Sequence, residues 1–170
     1  MALDVQLLRS SFNLALARQP ELTHVFYDGL FARYPDARPL FHGADMASQE
    51  QMLAEALVAV LDHLDDVPWL RSTLAGLGAR HAGYGVTPPM YDWVGDALIA
   101  TLANANGEQW TAAHTAGWQE AYGAIVAMML AGYPDAPPVS QADGEHKVKG
   151  GRVRRLLSSV FDRSTKPTRQ

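Results

Sequence analysis

Apolar residues recur at three- and four-residue intervals over the first 133 positions, the spacing of one face of an α-helix, and the alternation typical of strands is nearly absent. This pattern predicts a first helix over residues 4–18 and a second between Pro20 and Pro35, where the prolines mark a helix start and a helix end. Residues 35–45 contain two prolines and a glycine, which predicts a short helical turn followed by a loop.

Four further helices are predicted after this loop. The third covers residues 46–64, and the fourth begins near Pro68 and places His81 on the same face as three leucines. A fifth follows Pro89, and a sixth covers residues 109–133. Six helices with short connections predict an all-α domain.

The composition narrows the chemistry that the chain can support. With 170 residues and 48% apolar content, one well-buried domain with a tail is expected. The sequence has no cysteine, which excludes disulfides, iron–sulfur clusters, thiolate-ligated haem and cysteine-based zinc sites. A metal would therefore need histidine, carboxylate or neutral oxygen ligands. No window reaches about 18 uninterrupted apolar residues, and we expect a soluble, cytoplasmic protein.

Charge divides the chain into an acidic body and a basic end. Residues 1–140 hold six Lys and Arg against fifteen Asp and Glu, a net charge of −9, whereas residues 141–170 hold eight against three, a net charge of +5. The acidic body argues against a nucleic-acid partner. Residues from 134 onwards have a linker composition, and residues 152–163 form a short basic amphipathic segment. That segment is either a solvated end without a role or a weak contact for a membrane or a protein.

The common catalytic motifs are absent from the sequence. The run GLGARHAG lacks the third glycine of a dinucleotide-binding loop because that position is His81, and no strand precedes it. Phosphate-binding loops of the GxxxxGK[ST] type, HExxH zinc motifs and GxSxG nucleophile motifs do not occur.

Three polar residues fall on inward helix faces: Tyr27, Gln49 and His81. A buried amide or hydroxyl without a partner costs about 1–3 kcal/mol. Each of the three, taken alone, is compatible with an ordinary core residue whose polar atom finds a local partner. Taken together, they indicate a common polar ligand.

The order of elements then adds a family resemblance. It is carried by FYDGLFARYPDARPLF at 26–41, the step from Gln49 to Leu53, RHAGYGVTPPMY at 80–91 and GWQEAYG at 117–123. Over residues 4–133 the chain resembles the globin family, specifically the bacterial single-domain globins and the haem domain of flavohaemoglobins. The resemblance implies a globin fold, the three-over-three helical sandwich around haem b, in residues 1–133, with residues 134–170 as a linker and flexible tail.

The resemblance also implies roles on the two sides of the haem. His81 would be the proximal iron ligand, with its second ring nitrogen donating to a backbone carbonyl, for which Leu77 one turn back is the expected partner. Phe41 would pack on the porphyrin face, and Tyr91 would be a further cofactor-binding residue.

On the distal side, Leu53 would crowd the sixth coordination position of the iron. Tyr27 and Gln49 would donate hydrogen bonds to bound dioxygen, which predicts high oxygen affinity. Tyr27 could also ligate ferric iron directly. His42 and His63 are the alternative histidine ligands, and we interpret both as surface residues.

One departure from the family pattern concerns the last helix. Flavohaemoglobins have a glutamate there that bonds a tyrosine and the proximal histidine. Alignment on the tryptophan of GWQEAYG puts Tyr133 or its neighbours at that place, and no Asp or Glu occurs between Glu120 and Asp135. The sequence therefore predicts a broken relay, less electron-rich iron and weaker peroxidase-like activation.

Function follows as a set of alternatives. The resemblance implies binding and transport of O2, NO and other diatomic ligands, and it favours nitric oxide detoxification: a dioxygenase without its own reductase domain, supplied with electrons by an external reductase. The alternative is a haem-based gas or redox sensor that signals through the C-terminal tail. A third reading is a helical interaction domain that has lost the cofactor.

Overall fold

Six α-helices and two short 3-10 helices form in residues 3–134, the part of the chain that the computed structural model describes. The predicted linker and the basic segment at 152–163 lie outside the described residues. Within residues 3–134, no helix combines the length and the apolar character that crossing a membrane requires. The helices are α1 (Val5–Arg18), α2 (Leu22–Arg33), α3 (Met46–Asp62), α4 (Val67–Gly83), α5 (Met90–Asn106) and α6 (Ala112–Leu130), with 3-10 helices at Pro35–Phe41 and Gly107–Gln109.

The helix order predicted from apolar spacing is confirmed, but three boundaries were wrong, one of them the end of the sixth helix, which lies at Leu130 rather than at residue 133. The third helix ends at Asp62 rather than at residue 64. The sixth begins at Ala112 rather than at residue 109, because Gly107 has a φ of 59° and breaks the helical path. Thr111 and His114 then form a capping box that starts α6. Such capping depends on side-chain geometry that apolar spacing does not report.

Local side-chain hydrogen bonds fix the start of α4, the helix that carries His81. Asp66 precedes the helix, and its carboxylate accepts a hydrogen bond of 3.1 Å from the Trp69 amide. Pro68 occupies the first turn, where its missing N–H is not needed. The helix ends at Gly83, and Gly85 follows with a φ of 83°, a backbone conformation that favours glycine.

Two apolar clusters make up the core. The larger joins α1, α2 and α5 with the first half of α6, and Phe12, Leu30 and Leu102 are among its fully buried members. The smaller is centred on Leu74 of α4 and Met129 of α6. α3 packs mainly on α1 and α2, whereas α4 packs mainly on α6. Neither α3 nor α4 has the other as a main partner, which leaves space between them.

Close backbone contact holds α4 against the end of α6. A Cβ at Gly78 would overlap the carbonyl of Met129, and a Cβ at Gly132 would overlap the carbonyl of Ala75. The absence of both side chains lets the two backbones touch. The position of His81, which lies one turn after Gly78, is therefore tied to α6.

Candidate functional site

A cavity of about 220 Å³ lies where the two apolar clusters meet, and residues of all six helices line it. α3 contributes Leu53 and Leu57, and α4 contributes Leu74, Leu77 and His81. Only five of the lining side chains carry nitrogen or oxygen: His81, Tyr91, Trp93, Trp118 and Tyr122. The cavity therefore suits a large apolar ligand that needs few polar contacts.

Within the described residues 3–134, His81 has one ring nitrogen with a hydrogen-bond partner and one without. Its Nδ1 lies 2.9 Å from the Leu77 carbonyl, as expected from the sequence. A carbonyl can only accept, so Nδ1 carries the hydrogen and Nε2 keeps its lone pair. Burial lowers the pKa of His81, and the Leu77 hydrogen bond opposes that shift to a smaller extent. The result is a neutral imidazole on the wall of an apolar cavity, the form that binds iron.

The residues around His81 indicate whether it would bind a bare metal ion or the iron of a porphyrin. Residues 3–134 contain no group of three or more His, Asp or Glu side chains that could hold a bare metal ion. A single histidine in an apolar cavity instead suits iron that already has four ligands from a porphyrin. The donor chemistry of the cavity thus fits a haem.

Four predicted cofactor residues share this cavity. Phe41 at the end of the first 3-10 helix, Leu53 on α3, His81 on α4 and Tyr91 on α5 all line it. They are up to 50 positions apart in the sequence. The Tyr91 ring lies 6.2 Å from the His81 ring, with an angle of 28° between their planes.

A chain of tyrosine hydroxyls surrounds Tyr91. The Tyr122 hydroxyl donates to the Tyr91 carbonyl at 2.7 Å, and the Tyr133 hydroxyl donates to the Val86 carbonyl at 2.9 Å. The hydroxyls of Tyr91 and Tyr133 lie 3.1 Å apart. Burial is the main factor that raises the pKa of Tyr91, so its phenol stays protonated. Tyr133 thus stands beside Tyr91, close to the place that sequence alignment gave it, while Asp135 lies outside the described residues.

The predicted distal donors do not line the cavity. Tyr27 and Gln49 are buried, at 7% and 5% exposure, but neither contributes to the cavity wall. Tyr27 packs edge-on against Phe26 and Phe41, with ring centroids 5.0 and 5.4 Å away. No hydrogen bond within residues 3–134 involves the Tyr27 hydroxyl or the side-chain amide of Gln49. Burial, aided by the charge of Glu50, raises the pKa of Tyr27 and keeps it a neutral donor.

The alternative histidine ligands lie away from the cavity. His42 is exposed, as predicted. The surface interpretation of His63 was wrong: this residue is half-buried, its ring stacks on Trp69 at 3.8 Å, and its Nδ1 hydrogen-bonds the Ala59 carbonyl at 2.8 Å. Its position follows from the turn between α3 and α4, which apolar spacing does not resolve.

Several lining residues were not singled out from the sequence. Val86 comes from the connection between α4 and α5, Met90 is the first residue of α5, and Val94 follows Tyr91 by one helical turn. Val94 could have been found from its spacing to Tyr91. Val86 could not, because it lies in a loop without periodicity.

Comparison with known proteins identifies the family. The family model described as Globin matches residues 24–129, and the chain belongs to the globin family. It is 31% identical over 109 residues to a flavohemoprotein of Rhizobium meliloti, covering 63% of this chain and 27% of that protein. It is 26% identical over 120 residues to a flavohemoprotein of Vibrio cholerae, covering 69% of this chain and 30% of that protein. The chain thus spans less than a third of the length of either relative.

A solved structure shows the same fold. A Pseudomonas aeruginosa protein, described as structurally highly homologous to a human haemoglobin, aligns with a TM-score of 0.69 and 24% identity over 76% of this chain and 97% of its own. The architecture is therefore the all-α globin fold. Membership of this family implies a haem cofactor and a diatomic gas as ligand.

Proposed function

We propose that this globin holds haem b through His81, binds O2 reversibly with high affinity, and takes part in the detoxification of nitric oxide with electrons from a separate reductase. The observation that carries the proposal is the Nε2 atom of His81, whose lone pair has no partner among residues 3–134 and lies on the wall of an apolar cavity. The flavohemoprotein relatives support it.

The haem would supply a ferrous iron centre at which a diatomic gas binds reversibly. The chain orients that cofactor: the Leu77 carbonyl fixes the tautomer and the rotation of the His81 ring. Phe41 and Leu53 line the cavity and would present apolar surface to the haem. These residues also exclude water, which slows oxidation of a ferrous centre.

Tyr27 and Gln49 are proposed as the donors that stabilise bound oxygen. The side chain of each is buried near the cavity and makes no hydrogen bond within residues 3–134, so each keeps a donor for a ligand. Tyr27 touches Phe41 of the cavity wall, and Gln49 lies one turn before Leu53 on α3. Small side-chain rotations would bring both donors to a ligand that gains negative charge.

The proposed reaction combines one NO, one O2 and one electron to give nitrate. The electron comes from the external reductase. The chain's contribution is to retain oxygen through the two donors until NO arrives, and to admit NO through an apolar cavity.

The first test is haem binding itself. Full-length chain is titrated with haemin, and His81→Ala is compared with His42→Ala, which removes an exposed histidine outside the cavity. We expect a Soret band in the wild type and in His42→Ala, and loss of the ferrous histidine-ligated spectrum in His81→Ala, restored by added imidazole. A colourless wild type, or an unchanged spectrum in His81→Ala, contradicts the proposal.

The second test addresses nitric oxide. Oxygenated protein is mixed with NO in a stopped-flow instrument, and nitrate is measured. Rapid, stoichiometric nitrate formation is expected. Slow conversion to the ferric form without nitrate would leave an oxygen-binding globin and reject the detoxification role.

A further inference from the structure

We infer that Tyr133 is a positioning residue for His81: its hydroxyl holds the loop after the histidine and the tyrosine ring beside it. The inference deepens the proposed function and rests on it for the haem-bound state. The part that concerns the haem-free chain, the hold of Tyr133 on the Val86 loop and on the Tyr91 ring, depends only on residues of this chain.

The first step is the loop that follows α4. The Val86 amide donates to the carbonyl of His81 at 3.1 Å, and the amide of Tyr84 donates to the same carbonyl at 3.0 Å. On its other side, the Val86 carbonyl accepts the Tyr133 hydroxyl at 2.9 Å. Val86 is thus held at both of its backbone polar groups, and Tyr133 reaches the His81 backbone through it.

The second step is the direction of the hydroxyl protons. Because the Val86 carbonyl can only accept, the Tyr133 proton points to it, and Tyr91 is the donor in the 3.1 Å contact between the two hydroxyls. The Tyr122 hydroxyl fixes the Tyr91 carbonyl at 2.7 Å. Tyr133 therefore sets the rotation of a ring that lies 6.2 Å from His81 and nearly parallel to it.

The third step is the rigidity of the anchor. Tyr133 follows Gly132, whose backbone touches the Ala75 carbonyl on α4 closely enough to exclude a Cβ. The Tyr133 and Tyr91 rings also meet edge-on, with centroids 6.3 Å apart. The hydroxyl therefore extends from backbone that is already packed on the helix carrying His81.

The test compares Tyr133→Phe, which removes only the hydroxyl, with Tyr34→Phe, whose hydroxyl bonds Asp96 at 2.7 Å outside this network. Hydrogen exchange is measured in the full-length chain, with and without haemin. In Tyr133→Phe we expect exchange at the Val86 amide to rise about tenfold, the scale of losing one hydrogen bond, with α1 amides unchanged. The haem-loaded variant should also show a shifted or broadened iron–histidine stretching band by resonance Raman spectroscopy.

A second variant keeps the inference open to refutation if Tyr133→Phe fails to fold. Tyr91→Phe leaves the bond from Tyr133 to Val86 in place, so Val86 exchange should stay at the wild-type rate while the Raman band changes. Wild-type Val86 exchange in Tyr133→Phe, or an unchanged band in both variants, overturns the inference. If the chain binds no haem, the proposed function is contradicted. The hydrogen-exchange measurement on the haem-free chain still decides the role of Tyr133.

Discussion

At the scale of single residues, the chemistry of this globin depends on which polar atoms are engaged and which are free. His81 has one nitrogen held by Leu77 and one without a partner in residues 3–134. The Tyr91 hydroxyl is hydrogen-bonded to the Tyr133 hydroxyl, which itself donates to the Val86 carbonyl. Tyr27 and Gln49 are buried, and their side chains make no hydrogen bond to any residue between 3 and 134. The donors available to a ligand are therefore different from those that hold the histidine.

Removing either proposed distal donor should speed oxygen release. In Tyr27→Phe and in Gln49→Leu, we expect the O2 dissociation rate to rise about fivefold to tenfold each, because a net hydrogen bond contributes about 1 kcal/mol. The measurement is stopped-flow displacement of O2 by carbon monoxide, with Tyr34→Phe as the control. Unchanged rates in both variants would show that neither side chain reaches the ligand.

At the scale of elements, the contact between α4 and α6 sets the place of the histidine. Gly78→Ala puts a methyl group onto the Met129 carbonyl and should destabilise the fold by about 1–3 kcal/mol. Gly76→Ala is the matched control on the same helix, since nothing lies within 4 Å of its Cβ. That change should stabilise the fold by about 0.5–1 kcal/mol. Urea unfolding of the two variants measures both values, and equal effects would contradict the close contact.

A second link between elements depends on pH. His24 on α2 bonds Glu50 on α3 at 2.8 Å and lies 3.5 Å from Asp28. The hydrogen bond to Glu50 is the main factor that raises the pKa of His24, with the charges of Glu50, Asp28 and Glu21 adding to it. A raised folded-state pKa means that the stabilisation is complete below the unfolded value of 6.5 and is lost as pH rises through the folded value.

The melting temperature of His24→Gln should therefore fall below that of the wild type at about pH 6 and match it at about pH 9. The effect is small because the pair is exposed to solvent. His42→Gln, which changes another exposed histidine, is measured beside it as the control. A difference that persists at the higher pH would mean that His24 acts through packing and not through its charge.

At the scale of the whole molecule, the cavity separates α3 from α4, and a cofactor placed there would join them. In the haem-free chain we expect amides of α4 to exchange faster than those of α1 and α5, which belong to the larger cluster. Haemin should protect α3 and α4 and raise the melting temperature, since a ligand that binds only the folded state stabilises it. His81→Ala should lose most of that protection. Uniform protection in both states would contradict a cavity shaped by its cofactor.

Apolar spacing along the chain was enough to predict the six helices and the inward face of the helix that carries His81. Helix spacing is a local property, so the face shared by His81, Leu74 and Leu77 could be read directly, and the family resemblance added Phe41, Leu53 and Tyr91. The helix ends were predicted less accurately than the helix order, because caps such as Thr111 with His114 depend on side-chain geometry.

Which atoms meet depends on the packing of the helices, and apolar spacing could not predict it. The bond from Tyr133 to Val86 spans 47 residues, and the contact between Tyr133 and Tyr91 spans 42. Such contacts depend on how α4, α5 and α6 cross, and no local spacing encodes that. The same holds for Tyr27 and Gln49: their burial followed from helix periodicity, but their place beside the cavity wall, outside its lining, followed from the packing of α2 on α3.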